Sequence, residues 1–221
     1  MNDKVATIII PHHDRHDHLK NLLDVLDNTL FDIIIVSGGS FAENCNRGAK
    51  LAETERLLFI NDDTVPKIND LIYMCDILNF VDVVGSTQIT KNNSKYYGIG
   101  FESTTKTRIF LKDKIQYYPI ICTEKNKSLF PSGFLFGIKK NAWERIGGFD
   151  SNFKTGYEDV DFGIKCVDLK LSISILDLEI FHHESESTGR FKFTEENTNL
   201  LYEKYNQKKL KELYENPYYC I

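Results

Sequence analysis

Apolar residues in the first part of this chain alternate between short unbroken runs and runs spaced by three and four. "VATIII" (Val5–Ile10) is a β-branched run that stops at Pro11, the profile of a strand buried on both faces. Leu19, Leu22, Leu23 and Leu26 then fall on one face of a helix. "FDIIIVS" predicts a second strand closed by Gly38 and Gly39, and a short helix follows from Ala42 to Leu51. "RLLFI" predicts a third strand that runs into "NDDT", "INDLIYMCDIL" a helix, and "VDVVGS" a fourth strand. Such strand–helix alternation predicts a parallel sheet covered by helices on both faces.

Near Lys91 the pattern changes. "KYYGIGF", "TRIFL" and "IQYYPII" predict short strands of an antiparallel insert or a mobile loop region. "SLFPSGFLFGIKK" returns to a strand, "NAWERIGGFD" to a short helix closed by a glycine pair, "EDVDFGIKCVDLK" to a helix and "LSISIL" to a strand. From Thr194 to Tyr214 the chain is helical in pattern, and its Lys204, Lys208, Lys209 and Lys211 sit among Leu200, Leu201, Leu210 and Leu213. A helix of this kind packs its apolar face on its own domain or touches a membrane surface. No repeat, low-complexity tract or linker interrupts the chain. The expectation is one domain over residues 1–221, with a first half to about 90, a second half over about 91–193 and a helical tail over about 194–221.

Composition narrows the class. With 42% apolar and 27% charged residues, a chain of 221 residues is an ordinary globular protein able to bury a sizeable core. A net charge of −5 and the lack of long Lys/Arg runs argue against nucleic acid as a partner. Cys45, Cys75, Cys122, Cys166 and Cys220 are odd in number and form no CxxC pair, which points to reduced thiols rather than a disulfide frame. No apolar run reaches the ~20 residues of a membrane span. "MNDKVATIII" lacks the layout of a signal peptide, so the cytoplasm is the expected compartment, at most the inner face of the membrane.

The densest chemistry lies at the end of the first strand. "PHHDRHDH" holds His12, His13, His16 and His18 with Asp14 and Asp17, residue types that bind zinc or iron. Neighbouring side chains on a strand-to-helix turn diverge, however, and the HxHxDH spacing of zinc hydrolases is absent. In open α/β sheets ligands bind beyond the carboxyl ends of the strands, where this stretch falls, so it reads as a ligand-facing surface. Further along, "NDDT" projects Asn61, Asp62 and Asp63 from a strand end, and "YEDVD" sets Glu158 and Asp159 just before a helix. Read alone, those are a turn and an N-cap. Trp143, the single tryptophan, is expected to pack in the core.

In register, these stretches resemble the family 2 glycosyltransferases. "TIIIPHHDRHDHL", "IIIVSGGS", "FAENCNRGAKLA", "LLFINDDTVP", "SGFLFGIKKNAWERIGGFD", "GYEDVDFGIK" and "FHHESESTG" follow that family's order from about Val5 to Gly189. The resemblance is to the rhamnosyltransferase-like, surface-polysaccharide type. It implies a GT-A α/β fold with a mixed, mainly parallel sheet flanked by helices. It further implies an inverting, metal-dependent transfer of sugar from a nucleoside-diphosphate donor to a hydroxyl on a saccharide or lipid-linked saccharide, in bacterial polysaccharide or glycoconjugate synthesis.

By that resemblance, Pro11, His13, Asp14 and Arg15 surround the donor nucleotide, and Ser37 stands where the family carries a base-reading aspartate. Asn46 and Gly48 belong to the nucleotide-sugar site, as do Asn61 and, in a supporting role, Asp62. Asp63 is the implied ligand of Mn²⁺ or Mg²⁺, with His182, or alternatively His183, as the second protein ligand. Asp159 is the implied general base and Glu158 the residue that holds the acceptor. Ser187, Thr188 and Gly189 form a loop over the diphosphate, and Arg190 adds charge to it. Two rivals remain: a non-catalytic sugar-nucleotide-binding module, and a sugar-1-phosphate nucleotidyltransferase. The second should open with a Gly-rich loop, and "IIIPHHDRHD" has no glycine.

Overall fold

The computed structural model describes residues 4–13, 16–104, 115–183 and 192–216. The strands are β1 (Ala6–Pro11), β2 (Phe31–Val36), β3 (Arg56–Ile60), β4 (Thr64–Val65), β5 (Val83–Ile89), β6 (Lys95–Tyr96), β7 (Ile99–Ser103), β8 (Tyr117–Ile121), β9 (Leu135–Lys139) and β10 (Ile173–His182). The helices are α1 (His16–Val25), α2 (Phe41–Leu51), α3 (Ile68–Ile77), α4 (Lys140–Ile146), α5 (Glu158–Asp168), α6 (Thr194–Lys204) and α7 (Gln207–Glu215). Among the described residues they build an eight-stranded sheet in the order β2-β1-β3-β9-β5-β10-β4, with β6 beside β5, and a two-stranded β7-β8 ribbon. "TRIFL" lies outside the described residues.

β1 pairs in parallel with β2 and with β3, and β5 in parallel with β10. Between these two parallel groups sits β9, antiparallel to β3 on one side (Phe59 opposite Phe136) and to β5 on the other (Val84 opposite Gly137). The sheet is therefore mixed and mainly parallel. Successive side chains of a strand point to opposite faces, so the apolar runs feed two cores. Ile9, Leu57 and Phe59 join Phe136, Trp143, Phe149 and Phe162 on one face. Ile8, Ile10, Leu58 and Ile60 join Leu71, Met74 and Leu78 on the other. Trp143 is 6% exposed and stacks on Phe59 at 4.5 Å, as expected of a core residue.

Two elements depart from the pattern read in the sequence. The last strand does not stop at Leu176: it passes an irregularity between Leu176 and Ile180 and continues to His182. Asp177 and Glu179 break the apolar run there, and both bind Lys95, at 2.5 and 2.7 Å. The tail is two helices rather than one. Asn206 starts the second by accepting the Lys209 N–H, the usual reason a helix begins at an asparagine. Leu201, Leu210 and Leu213 are buried on the body of the protein. Lys204 reaches Asp150 at 2.7 Å and the fully buried Asp161 at 2.6 Å, where Lys165 and the Tyr205 hydroxyl also converge at 2.8 Å. The apolar side of the tail is thus occupied within the chain. No helix among the described residues is long and apolar enough to cross a membrane.

Burial also decides the thiols. It pushes the Cys75 thiol up to about 12 and raises those of Cys45 and Cys166 well above the usual thiol range, so none of the three carries the thiolate that oxidation or metal binding needs at neutral pH.

α5 packs closely on Phe130 through Gly163. A Cβ on Gly163 would lie 2.1 Å from the ring of Phe130, which is fully buried. Gly163→Ala gains about 1 kcal/mol in helix propensity. The overpacking penalty at this closeness is about 3 kcal/mol. A net loss of about 2 kcal/mol is expected in urea unfolding; an unchanged or raised midpoint would show that Phe130 is free to move aside.

Candidate active site

The carboxyl ends of β1 and β3 and the far end of β10 meet at one edge of the sheet. Past Ile60 the chain turns, with the Asn61 N–H donating to the Phe134 carbonyl at 2.9 Å and the Thr64 N–H to the Asn61 carbonyl at 3.1 Å. This turn carries Asp62 and Asp63, which are 5% and 2% exposed. Buried carboxylates require partners. Asp62 Oδ2 lies 2.8 Å from His12 Nδ1, and it also accepts the His13 N–H at 3.4 Å. Asp63 Oδ1 lies 2.9 Å from His182 Nε2. His182 is held by β10 opposite Thr64, and its ring lies 5.2 Å from that of Phe134.

Of the two histidines in "FHHES", His182 therefore brings its ring to the Asp63 carboxylate. His183 donates its backbone N–H to the Asp63 carbonyl at 3.1 Å. Its ring packs on His18 of α1 at 4.4 Å and edge-on to Phe181 at 4.9 Å. Burial, then the neighbouring His18 and Lys91, holds His183 below the usual imidazole range. The histidines of the opening stretch thus divide: His12 pairs with Asp62, His18 meets His183, and the His13 side chain is exposed at the rim.

Asp63 Oδ1 and His182 Nε2 are hydrogen-bonded to each other, and a carboxylate oxygen beside an imidazole nitrogen is a donor pair able to bind Mn²⁺ or Mg²⁺ with phosphate oxygens and water completing the shell. No group of three or more His, Cys, Asp or Glu able to hold a metal stands among the described residues. His182 Nδ1 is buried and has no hydrogen-bond partner among them, so the ring is oriented by Asp63 and Phe134.

Asp159 enters from α5. Its Oδ2 accepts the Gly133 N–H at 3.0 Å and its Oδ1 the Val160 N–H at 2.9 Å. Gly133 adjoins Phe134, whose carbonyl anchors Asn61. One peptide segment thus links Asp159 to the Asp62–Asp63 turn. Glu158 is 7% exposed and accepts the Gly156 N–H at 2.6 Å, which ties it to the turn before the helix. Asp161 is committed to the lysine and tyrosine contacts of the tail.

Asn46 and Gly48, both assigned to the nucleotide-sugar site by the resemblance, also meet other parts of the chain. The Asn46 amide donates to the Phe149 carbonyl at 2.8 Å and accepts the Phe149 N–H at 3.0 Å, clamping the loop after α4. Gly48 faces β1, and a Cβ there would lie 2.4 Å from Ile9 Cγ2, so glycine serves the packing of α2 on the sheet. Ser37 is exposed at the end of β2, with its carbonyl accepting from Arg47 at 2.6 Å. Pro11 is buried in the pairing with Val36. Asp14, Arg15, Ser187, Thr188, Gly189 and Arg190 lie outside the described residues.

Reading the sequence alone singled out His13 and passed over His12 and Arg47. The signal for His12 was strand parity: it continues the inward row of Ile8 and Ile10. Arg47 had no comparable signal, since one charge on a helix face is ordinary.

No protein-family model matches the chain. Among curated proteins, N-acetylglucosaminyl-diphospho-decaprenol L-rhamnosyltransferase of Mycobacterium tuberculosis, in strains CDC 1551 / Oshkosh and ATCC 25618 / H37Rv, is 35% identical over 65 residues. That match takes in 27% of this chain and spans about a fifth (21%) of the length of these relatives. Among solved structures, S. aureus TarS 1-349 superimposes with a TM-score of 0.60 at 14% identity, over 96% of this chain and 71% of that one. The catalytic domain of Drosophila β1,4-galactosyltransferase 7, in complex with xylobiose, gives 0.55 at 12% identity, over 86% and 79%. The fold of this chain is the GT-A fold of those structures.

The Asn46 clamp makes a direct test. Asn46→Ala removes both bonds to Phe149 and should lower stability by about 1–2 kcal/mol, read by denaturant unfolding. Nucleoside-diphosphate affinity should stay at the parent value in calorimetry. A stable variant with lost nucleotide binding would return Asn46 to the ligand site.

Proposed function

We propose that the chain is a glycosyltransferase that moves a sugar, with inversion, from a nucleoside-diphosphate donor to a hydroxyl of a saccharide or lipid-linked saccharide. The observation that carries this reading is the pair of buried aspartates at the end of β3, each bound to a histidine from another strand end, with Asp159 tethered to the same segment. The likeness of fold to two glycosyltransferases supports it, as does the partial match to an L-rhamnosyltransferase.

In this reading Asp63 and His182 hold the divalent cation, Mn²⁺ or Mg²⁺. When bound, it neutralises charge on the departing diphosphate. Asp62, fixed by His12, supports the turn, and Asn61 faces the donor sugar or ribose. Pro11, His13 and Ser37 border the nucleotide, and Asp14 and Arg15 are assigned to the same role by the sequence resemblance alone. The acceptor oxygen bonds to the anomeric carbon as the bond to the diphosphate breaks, and the hydroxyl proton passes to Asp159. Both Asp159 oxygens are oriented by backbone N–H groups, so the base is positioned before the acceptor arrives. Glu158 fixes the preceding turn against which an acceptor rests. We read residues 1–221 as one domain working at the cytoplasmic side.

The cation and base roles separate in experiment. Asp63→Asn should remove the Mn²⁺-dependent part of nucleoside-diphosphate affinity in calorimetry, and equal affinity with and without Mn²⁺ in the parent would sink the cation assignment. Asp159→Asn should bind nucleoside diphosphate as the parent does, while donor turnover falls by roughly 10²–10⁴-fold. Turnover near the parent rate would move the base elsewhere.

A further inference from the structure

Ahead of Asp159 the backbone does something costly. Thr155, Gly156 and Tyr157 all have positive φ, at 46°, 114° and 73°. For a tyrosine this left-handed conformation is a genuine strain, kept only where surroundings impose it. The surroundings here are α6. Asn197, 2% exposed, donates through its amide nitrogen to the carbonyls of Lys154 and Gly156, both at 2.8 Å, and accepts the Lys154 N–H at 3.1 Å. Those three bonds lock the turn. The next residue, Thr198, bonds the Tyr157 hydroxyl at 3.0 Å, and Tyr202 stands one helical turn further along the same face.

Tyr202 is held above the usual phenol range by burial and then by the nearby phenols of Tyr157 and of Tyr118 on β8. Tyr118, Tyr157, Thr198 and Tyr202 are each partly exposed, and Tyr157 and Tyr202 rest against the edge of the core that holds Phe136 and Trp143. Aromatic faces suit the C–H faces of a pyranose, and hydroxyls that both donate and accept suit its hydroxyls. None of these four side chains is charged.

We propose that Tyr157, Thr198 and Tyr202 form the subsite that receives a neutral sugar ring of the acceptor, and that Asn197 is the positioning residue that holds this subsite beside Asp159. The proposal rests on the glycosyl-transfer reading for its orientation toward Asp159. The tail helix is then part of the active site. Without it the left-handed turn relaxes, Tyr157 swings away and the acceptor loses its platform.

The test uses the full chain with ¹³C-labelled tyrosine, titrated by NMR with the methyl glycosides of glucose, galactose, N-acetylglucosamine and rhamnose. Tyr157 and Tyr202 signals should shift with at least one glycoside. Tyr202→Ala and Thr198→Val should each weaken that binding, by about tenfold for the tyrosine, with Mn²⁺-dependent nucleoside-diphosphate affinity unchanged. Asn197→Asp, which keeps the side-chain size and removes the two N–H donors, should weaken it as well. Nucleotide binding with no glycoside response at these tyrosines, or with a response that the variants leave intact, overturns the subsite and leaves the transferase reading standing. A glycoside response without any nucleoside-diphosphate binding supports the subsite and overturns the transferase reading.

Discussion

The hydrogen bond from the Asn61 N–H to the Phe134 carbonyl is the contact on which the site depends. It exists because β9 is wedged antiparallel between β3 and β5, so that the segment entering β9 passes the end of β3. The wedge is tight. A Cβ on Gly137 would lie 2.7 Å from Leu58, and one on Gly85 2.4 Å from Pro131. Those glycines let the backbones close up, and the closure sets Gly133 and Phe134 against both Asp159 and the Asp62–Asp63 turn. A shift of β9 by one residue would turn its core side chains to the opposite face and carry both attachments away.

Buried charge explains the rest of the arrangement. Asp62, Asp63 and Asp161 are nearly or wholly removed from water, and each is met by an opposing or titratable group from a distant part of the chain. Asp161 takes lysines, and the result is a permanent contact between α5 and the tail. Asp62 and Asp63 take histidines, His12 and His182, from two other strand ends. The same demand for pairing thus fixes the tail on α5 in one place and draws two strand ends together in the other.

Much of this was legible in the sequence, for physical reasons. "VATIII", "FDIIIVS" and "RLLFI" read as strands because both faces of the sheet are covered, and such runs leave no polar alternation. Asp63 and Asp159 were singled out by the resemblance to the family pattern, since read alone they are a turn and an N-cap. The direction of β9 was not legible, since "FLFGIKK" looks the same whichever way it runs. Nor was the extension of β10 to His182, because Asp177 and Glu179 ended the apolar run while the ladder resumed beyond them. Asn46 and Gly48 fell in register with the family pattern, yet Asn46 is answered by Phe149 and Gly48 by Ile9, contacts across 103 residues in the first case that no local spacing encodes.

The crowding of histidines after β1 resolves in the same terms. A row on one strand face places His12 after Ile8 and Ile10, so its ring must enter the protein at a depth where Asp62 is the available acceptor. His18 lies on α1, beyond the turn, and its ring meets His183, the residue after the one that touches Asp63. Two neighbouring aspartates are therefore braced from the first strand and the last, one by His12 directly and the other by His182. The histidines crowd because two strand ends converge on one pair of carboxylates, and each end supplies its own imidazoles.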